Sequence, residues 1–179
     1  QPAPDGQDKL IPNAVVRALV QHFSGINLSN ANVPQDILGR VYESLIKMFP
    51  DNAGAQAREF FTPPQVADIL VRILEPRPGE TVYDPTCGTA RMLINCGEYM
   101  KENGFRSDQI RYCGQEMNRQ PCAIARVNLI LHGLKSDLRG GKSTLLDPLH
   151  LKPDGSLKQF DIVLAHFPFS DEVWWLPED

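Results

Sequence analysis

Thr81-Val82-Tyr83-Asp84-Pro85-Thr86-Cys87-Gly88-Thr89, with Met92, Leu93, Ile94 and Tyr99 following, is the stretch on which the fold turns. Thr81-Val82-Tyr83 is β-branched and aromatic, the composition of a short strand. Asp84 to Thr89 is turn-rich, and the apolar residues beyond it read as a helix. A strand that turns sharply into a helix N-terminus is where open α/β sheets bind nucleotide-like ligands. In that position Gly88 lets a ligand approach the backbone, and the first helical turn offers free N–H groups. Taken alone the segment also fits an ordinary βα turn, because a single glycine is a weak signal.

Downstream, Ile110-Arg111-Tyr112-Cys113-Gly114 reads as a second strand, ending in Gln115-Glu116. An acidic residue there can accept hydrogen bonds from the ribose hydroxyls of an adenosine, or can be a plain solvated strand end. A helix follows from about Pro121 to Leu131, with Ala123, Ile124, Val127, Ile130 and Leu131 as its apolar side and Gly133 after it. Phe160-Asp161-Ile162-Val163-Leu164-Ala165 is a third strand, of the near-continuous apolar kind buried on both faces. Strands alternating with helices predict a parallel, doubly wound α/β sheet.

Upstream the periodicity is helical. Val15, Val16, Leu19, Val20 and Phe23 form a stripe that Gly25 ends, and Ile37, Leu38, Val41, Leu45, Ile46 and Phe49 form another after Pro34. A third helix is predicted from Pro63 to about Leu74, capped by Thr62, with Val66, Ile69, Leu70 and Ile73 as its buried face.

The 179 residues suffice for one domain with a core, and 42% hydrophobic with 22% charged residues excludes a disordered chain, a collagen-like repeat and a coiled-coil rod. No run of apolar residues is long enough for a bilayer span, and the polar start at Gln1 lacks the pattern of a signal peptide. The absence of an initiator Met suggests a segment of a longer chain. The net charge of −4 does not advertise a nucleic-acid binder. Lys101 to Lys152 nonetheless carries nine Lys/Arg against five Asp/Glu, while Asp171 to Asp179 carries four acids and no base. A mildly basic middle is compatible with phosphate contacts and equally with a solvated face. Cys87, Cys96, Cys113 and Cys122 are never two or three apart, which argues against a zinc ribbon or a redox Cys-x-x-Cys, and no metal site is expected. They read as free thiols of a reducing cytoplasm, with Cys96 and Cys122 as small core side chains.

Several stretches in fixed order carry a resemblance. They are Glu59-Phe60-Phe61-Thr62-Pro63, Asp84-Pro85-Thr86-Cys87-Gly88-Thr89, Gly114-Gln115-Glu116-Met117-Asn118, and Ala125-Arg126-Val127-Asn128-Leu129 closing with His132-Gly133. Thr144-Leu145-Leu146-Asp147-Pro148 and Phe160 to Ala165 continue the series. From about Asp36 to Ser170 the chain resembles the modification subunit of type I restriction-modification systems, adenine-specific DNA methyltransferases acting from S-adenosylmethionine. The resemblance implies a Rossmann-like methyltransferase sheet, truncated on its C-terminal side and preceded by a helical segment. It divides the chain into a tail or linker (1–10), a helical N-terminal segment (11–62) and a partial methyltransferase domain (63–179). Phe61, Thr62 and Pro63, with Asp84, Pro85, Thr86, Gly88 and Thr89, would surround the methionine part of the cofactor, and Glu116 would hold its ribose. The implied partners are double-stranded DNA and the specificity and restriction subunits of a type I-like complex, in the cytoplasm and away from any membrane.

In that family catalysis belongs to an Asn-Pro-Pro-Phe or Asn-Pro-Pro-Tyr loop after the fourth strand. The Asn oxygen and the first Pro carbonyl accept hydrogen bonds from the target amino group, and the aromatic ring stacks on the flipped base. Here the loop is His166-Phe167-Pro168-Phe169. The stacking ring and the second Pro remain, while a neutral imidazole offers one acceptor nitrogen in place of a carboxamide oxygen. Ala90-Arg91 stands where the family continues Gly-Gly or Gly-Ser, and Ser143 where an Asp or Asn often precedes Thr-Leu. Two readings therefore lead: an adenine-N6 DNA methyltransferase, or a catalytically degenerate relative that binds DNA, cofactor or a partner subunit without methylating. A scaffold that binds neither ligand is a third.

Overall fold

The computed structural model describes residues 12–29, 32–33, 35–48 and 62–167. They divide between Pro34 and Gln35 into two compact units. The first contains one helix, α1 (Asn13–Ser24), which ends at Gly25 as its sequence predicts. The second contains α2 (Gln35–Met48), α3 (Pro64–Leu74), β1 (Thr81–Asp84), α4 (Arg91–Glu102), β2 (Arg111–Glu116), α5 (Arg119–Leu131), β3 (Ser136–Gly140) and β4 (Ile162–Val163).

The four strands form one sheet in the order β3-β2-β1-β4, and every neighbouring pair is parallel. Strand order grows outward from β1 to β3 through α4 and α5, then reverses as β4 pairs with the other side of β1. That reversal is the switch point of a doubly wound sheet, the crevice where such folds place a ligand. Asp84 lies opposite Gly114, and Glu116 opposite Gly140.

One face of the sheet carries the core. Val82, Tyr112 and Ile162 meet Leu93, Ile94, Cys96 and Met100 of α4, Ala125 and Leu129 of α5, and Ala67 and Val71 of α3. Each fully buried large aliphatic side chain in this layer contributes about 1.5–3 kcal/mol. α2 joins the same unit against α5. A Cβ on Gly39 would fall on the His132 ring, so this crossing requires glycine. All four cysteines are free and buried, Cys96 and Cys122 among the core as expected.

The structure corrects several expectations. Thr62 does not cap α3: the cap position is Pro63, without a side-chain bond, and its carbonyl takes the N–H groups of Val66 (3.0 Å) and Ala67 (3.1 Å). The two prolines set the start, since Pro64 occupies a helical position that needs no donor. The buried face of α3 is Ala67 and Val71, with Leu70 packed beside them, whereas Val66, Ile69 and Ile73 (72% exposed) face outward. Apolar residues surround this helix, and the small Ala67 decides which side approaches α4. In α5 the buried residues are Cys122, Ala125, Asn128 and Leu129, while Val127 and Ile130 are exposed. Among the described residues β4 is a two-residue strand at the edge of the sheet: Ile162 and the following Leu164 point inward, and Val163 is 55% exposed. β3 was not expected, because Ser136-Asp137-Leu138-Arg139-Gly140 has one apolar residue, yet it pairs with β2 over its whole length.

Candidate functional site

The carboxyl ends of β1 and β2 meet in a corner built largely from backbone bonds. After Asp84 the chain turns through Pro85 to Ala90 before α4 begins. Gly88 (φ 50°) and Ala90 (φ 68°) both take the left-handed conformation. Ala90 is the cap of α4 and fully buried, and a non-glycine residue held there costs on the order of 1 kcal/mol. The turn is fastened to β2: the Cys87 N–H donates to the Gln115 carbonyl (3.0 Å), and the Gly88 N–H donates to Glu116 Oε2 (3.0 Å). Glu116 Oε1 accepts the Asn118 N–H at 2.8 Å, so this 6%-exposed carboxylate joins the turn to the start of α5. From α5, Asn128 Nδ2 donates to the Thr89 carbonyl at 3.1 Å.

Asp84 is the more deeply buried of the corner's two acids. It is 1% exposed; Oδ1 accepts the Thr86 N–H (3.0 Å), and the buried Oδ2 has no hydrogen-bond partner. Its carboxyl is pushed up to about 8, mainly by burial and further by the charge of Glu116, against the lowering effect of the Thr86 N–H. The Thr86 hydroxyl is buried beside it, also without a partner.

The segment after β3 lies across this corner. Gln115, fully buried, donates from Nε2 to the carbonyls of Lys142 and Asp147 (both 3.1 Å) and accepts the Leu149 N–H at 2.8 Å. The Thr144 hydroxyl donates to the Pro85 carbonyl at 2.5 Å. Ser143 therefore stands in a loop pinned on both sides to the corner.

Asp84, Pro85, Thr86, Gly88, Thr89 and Glu116 thus come together. Phe61 lies outside the described residues, and Thr62 and Pro63 stand at the start of α3 without a described hydrogen bond into the turn. His166 is half-buried and Phe167 47% exposed just beyond β4, whereas Pro168 and Phe169 lie outside the described residues. Arg91, which follows the turn, reaches along α4 to Glu98 at 3.9 Å. The linking roles of Gln115, Asn128 and Thr144 were not foreseen. Their polar side chains in apolar surroundings were the available signal, since buried amides require partners.

This geometry can accept hydroxyl hydrogens at Glu116, whose oxygens retain lone pairs, and can receive a cation at Asp84. Residues 33–179 match the model of the N-6 DNA methylases. The chain belongs to the N-6 DNA methylase family. It is 26% identical over 156 residues to the type I restriction enzyme MjaIX methylase subunit of Methanocaldococcus jannaschii, covering 87% of this chain and 27% of that protein. The HindI methylase subunit of Haemophilus influenzae is 28% identical over 79% of this chain and 31% of its own length. The crystal structure of the methyltransferase subunit of a type I restriction-modification system from Streptococcus thermophilus superposes with a TM-score of 0.64 at 29% identity, over 86% of this chain and 31% of that one. The sheet of this family member is accordingly the Rossmann-like methyltransferase sheet. The chain spans less than a third of the length of these relatives.

Proposed function

We propose that this N-6 DNA methylase chain carries the cofactor-binding part of an adenine-N6 DNA methyltransferase of the type I modification-subunit kind, with residues 63–179 as the partial methyltransferase domain and 11–62 as its helical lead-in. The cofactor is S-adenosylmethionine, which supplies an electrophilic methyl group on a sulfonium. The observation that carries the reading is the buried, partnerless Oδ2 of Asp84 beside the Glu116 carboxylate at the switch point of the sheet. A lone buried carboxylate oxygen is costly, and a cationic ligand removes that cost. S-adenosylmethionine carries an ammonium and a sulfonium, so its charge fits, and its ribose diol suits the free lone pairs of Glu116.

In this reading Glu116 does two jobs at once: it fixes the Gly88 turn and accepts the ribose hydroxyls. Phe61, Thr62 and Pro63 complete the methionine side. His166, through a neutral ring nitrogen, and the carbonyl of Phe167 accept hydrogen bonds from the target amino group. Phe169 stacks on the flipped adenine, and Pro168 shapes the loop. Specificity and restriction subunits, with double-stranded DNA, are the partners of the cytoplasmic complex. No helix among the described residues is long and apolar enough to cross a membrane.

Calorimetric titration of the chain with S-adenosylmethionine tests the cofactor half. Saturable one-to-one binding that Asp84→Asn and Glu116→Ala both weaken is expected. No binding by the unaltered chain, or binding indifferent to both changes, refutes it. Methylation of adenine by the full-length protein with its specificity subunit tests the rest.

A further inference from the structure

Away from the cofactor corner, three side chains converge on the other face of the sheet. Cys113 on β2 lies directly opposite Asp137 on β3, and His150 reaches over both from the following loop. The Cys113 sulfur, a carboxylate oxygen of Asp137 and a ring nitrogen of His150 all lie within 4.8 Å of one another. Gly114, next in β2, faces the Cys87 turn, so Cys113 points away from it. We propose that Cys113, Asp137 and His150 bind one divalent cation of the zinc class, independently of the cofactor.

The orientation of His150 is the decisive observation. His150 is only 3% exposed, and its ring packs edge-on against Tyr83 and Phe160, with centroids 5.0 Å and 5.8 Å away. Nε2 lies 3.1 Å from the Gly114 carbonyl, an acceptor, so Nε2 carries the hydrogen. That leaves a lone pair on Nδ1, which is buried without a hydrogen-bond partner and faces Asp137 Oδ2 at 3.6 Å. An imidazole lone pair and a carboxylate oxygen at this separation repel, and a cation between them turns the repulsion into two bonds. A histidine that donates its second N–H to a backbone carbonyl is the usual support of a metal ligand. Asp137 is supported likewise, since Arg139 grips it with Nε to Oδ1 (3.2 Å) and Nη2 to Oδ2 (3.1 Å) and leaves its other lone pairs free.

Charge and size agree. Thiolate and carboxylate together neutralise a divalent ion, which matters because Arg139 and Lys158 add positive charge nearby. Burial holds His150 below its ordinary value, in the neutral form that ligates, and Arg139 holds Asp137 ionised. Zinc bond lengths place tetrahedral ligand atoms about 3.2–3.8 Å apart, so the 4.8 Å cluster closes by roughly 1 Å on loading. The fourth position falls to water on the exposed side of Asp137. Sulfur with nitrogen selects zinc or cobalt over magnesium or calcium.

Titration of the chelator-treated chain with Co²⁺, followed by Zn²⁺, tests this. One equivalent of Co²⁺ should produce a sulfur-to-cobalt charge-transfer band and intense four-coordinate visible bands, and Zn²⁺ should abolish both. Cys113→Ser should remove the charge-transfer band, whereas Cys122→Ala should keep it. His150→Ala should weaken Co²⁺ binding more than about a hundredfold, the upper end of what supporting groups contribute. Asp137→Asn, at a half-exposed position compatible with folding, should retain the sulfur band and weaken binding at least about tenfold. Binding should tighten as pH rises, because the thiol proton must leave. Absence of the band in the unaltered chain, its persistence in Cys113→Ser, or unchanged affinity in Asp137→Asn overturns the site.

Discussion

At the carboxyl ends of β1 and β2, the Cys87 and Gly88 N–H groups and the Thr89 carbonyl are each tied to another element, whereas the carboxyl end of β4 follows a two-residue ladder and runs into an exposed Phe167. The first region is held by atoms that any ligand must accept as they stand. The second leaves the sheet where only the β1 side pairs it among the described residues. Under the proposed function, cofactor binding rests on the tied corner and the chemistry on the loop after β4. Substitutions in the corner should change both cofactor affinity and stability, and those in the loop should change neither.

Glu116→Ala should show the largest effect. It removes the acceptor of the ribose and also frees the buried Gly88 N–H. Hydrogen bonds to a charged group contribute about 1.5–3 kcal/mol each, so S-adenosylmethionine affinity should fall by between about tenfold and a hundredfold. The urea midpoint should fall with it. A loss of affinity without any loss of stability would break the claim that one carboxylate serves both purposes.

Asp84→Asn should weaken binding about tenfold at neutral pH, where the cationic ligand must first draw a proton from a carboxyl that titrates near 8. Binding by the unaltered chain should therefore tighten as pH rises through 8 and release a proton below it. Stability runs the other way. A carboxyl whose folded value exceeds its unfolded value binds the proton more tightly when folded, so the ligand-free protein loses stability as pH climbs from about 4 to 8. Asp84→Asn removes that slope, and its advantage in thermal midpoint should grow across this window and level off above it. Parallel pH profiles for the two proteins would show that Asp84 is not the buried acid described here.

How far the sequence disclosed this comparison depends on what each residue type signals locally. Thr81 to Tyr83, the turn at Gly88 and the Glu116 strand end were legible because strand composition, glycine and an acid each state their role at short range. β3 was illegible because its stability comes from pairing along β2 and from Gly140 approaching Cys122, contacts with no local pattern. The inner faces of α3 and α5 were misread because apolar residues flank both sides of each helix, so period alone could not orient them. The Cys113–Asp137–His150 cluster was invisible for the same reason as β3: strand register, not spacing, brings its members together.

Gln115→Ala should act more weakly on affinity, by several-fold, because the residue touches the loop over the corner rather than the ligand. It leaves two carbonyls and the Leu149 N–H without their partner, and losing partners for buried groups costs about 1–3 kcal/mol each, which urea denaturation will detect. Its contribution should therefore be greater for stability than for binding, the opposite weighting from Asp84.

The smallest effect on the cofactor belongs to the loop. His166→Asn with Phe167→Pro should change S-adenosylmethionine affinity by less than about twofold, since both residues follow β4 rather than the β1 turn, yet should raise the methylation rate of the full-length protein. The carboxamide oxygen accepts a hydrogen bond whatever the pH, whereas an imidazole accepts only when neutral. Proline fixes φ at residue 167 and so aims the carbonyl that supplies the second acceptor. One preorganised hydrogen-bonding group is worth on the order of a hundredfold in rate, which sets the ceiling for the gain. Single-turnover methylation separates this step from binding. A variant that binds more tightly but methylates no faster would place the loop's role in the corner, and the division between the two regions would fail.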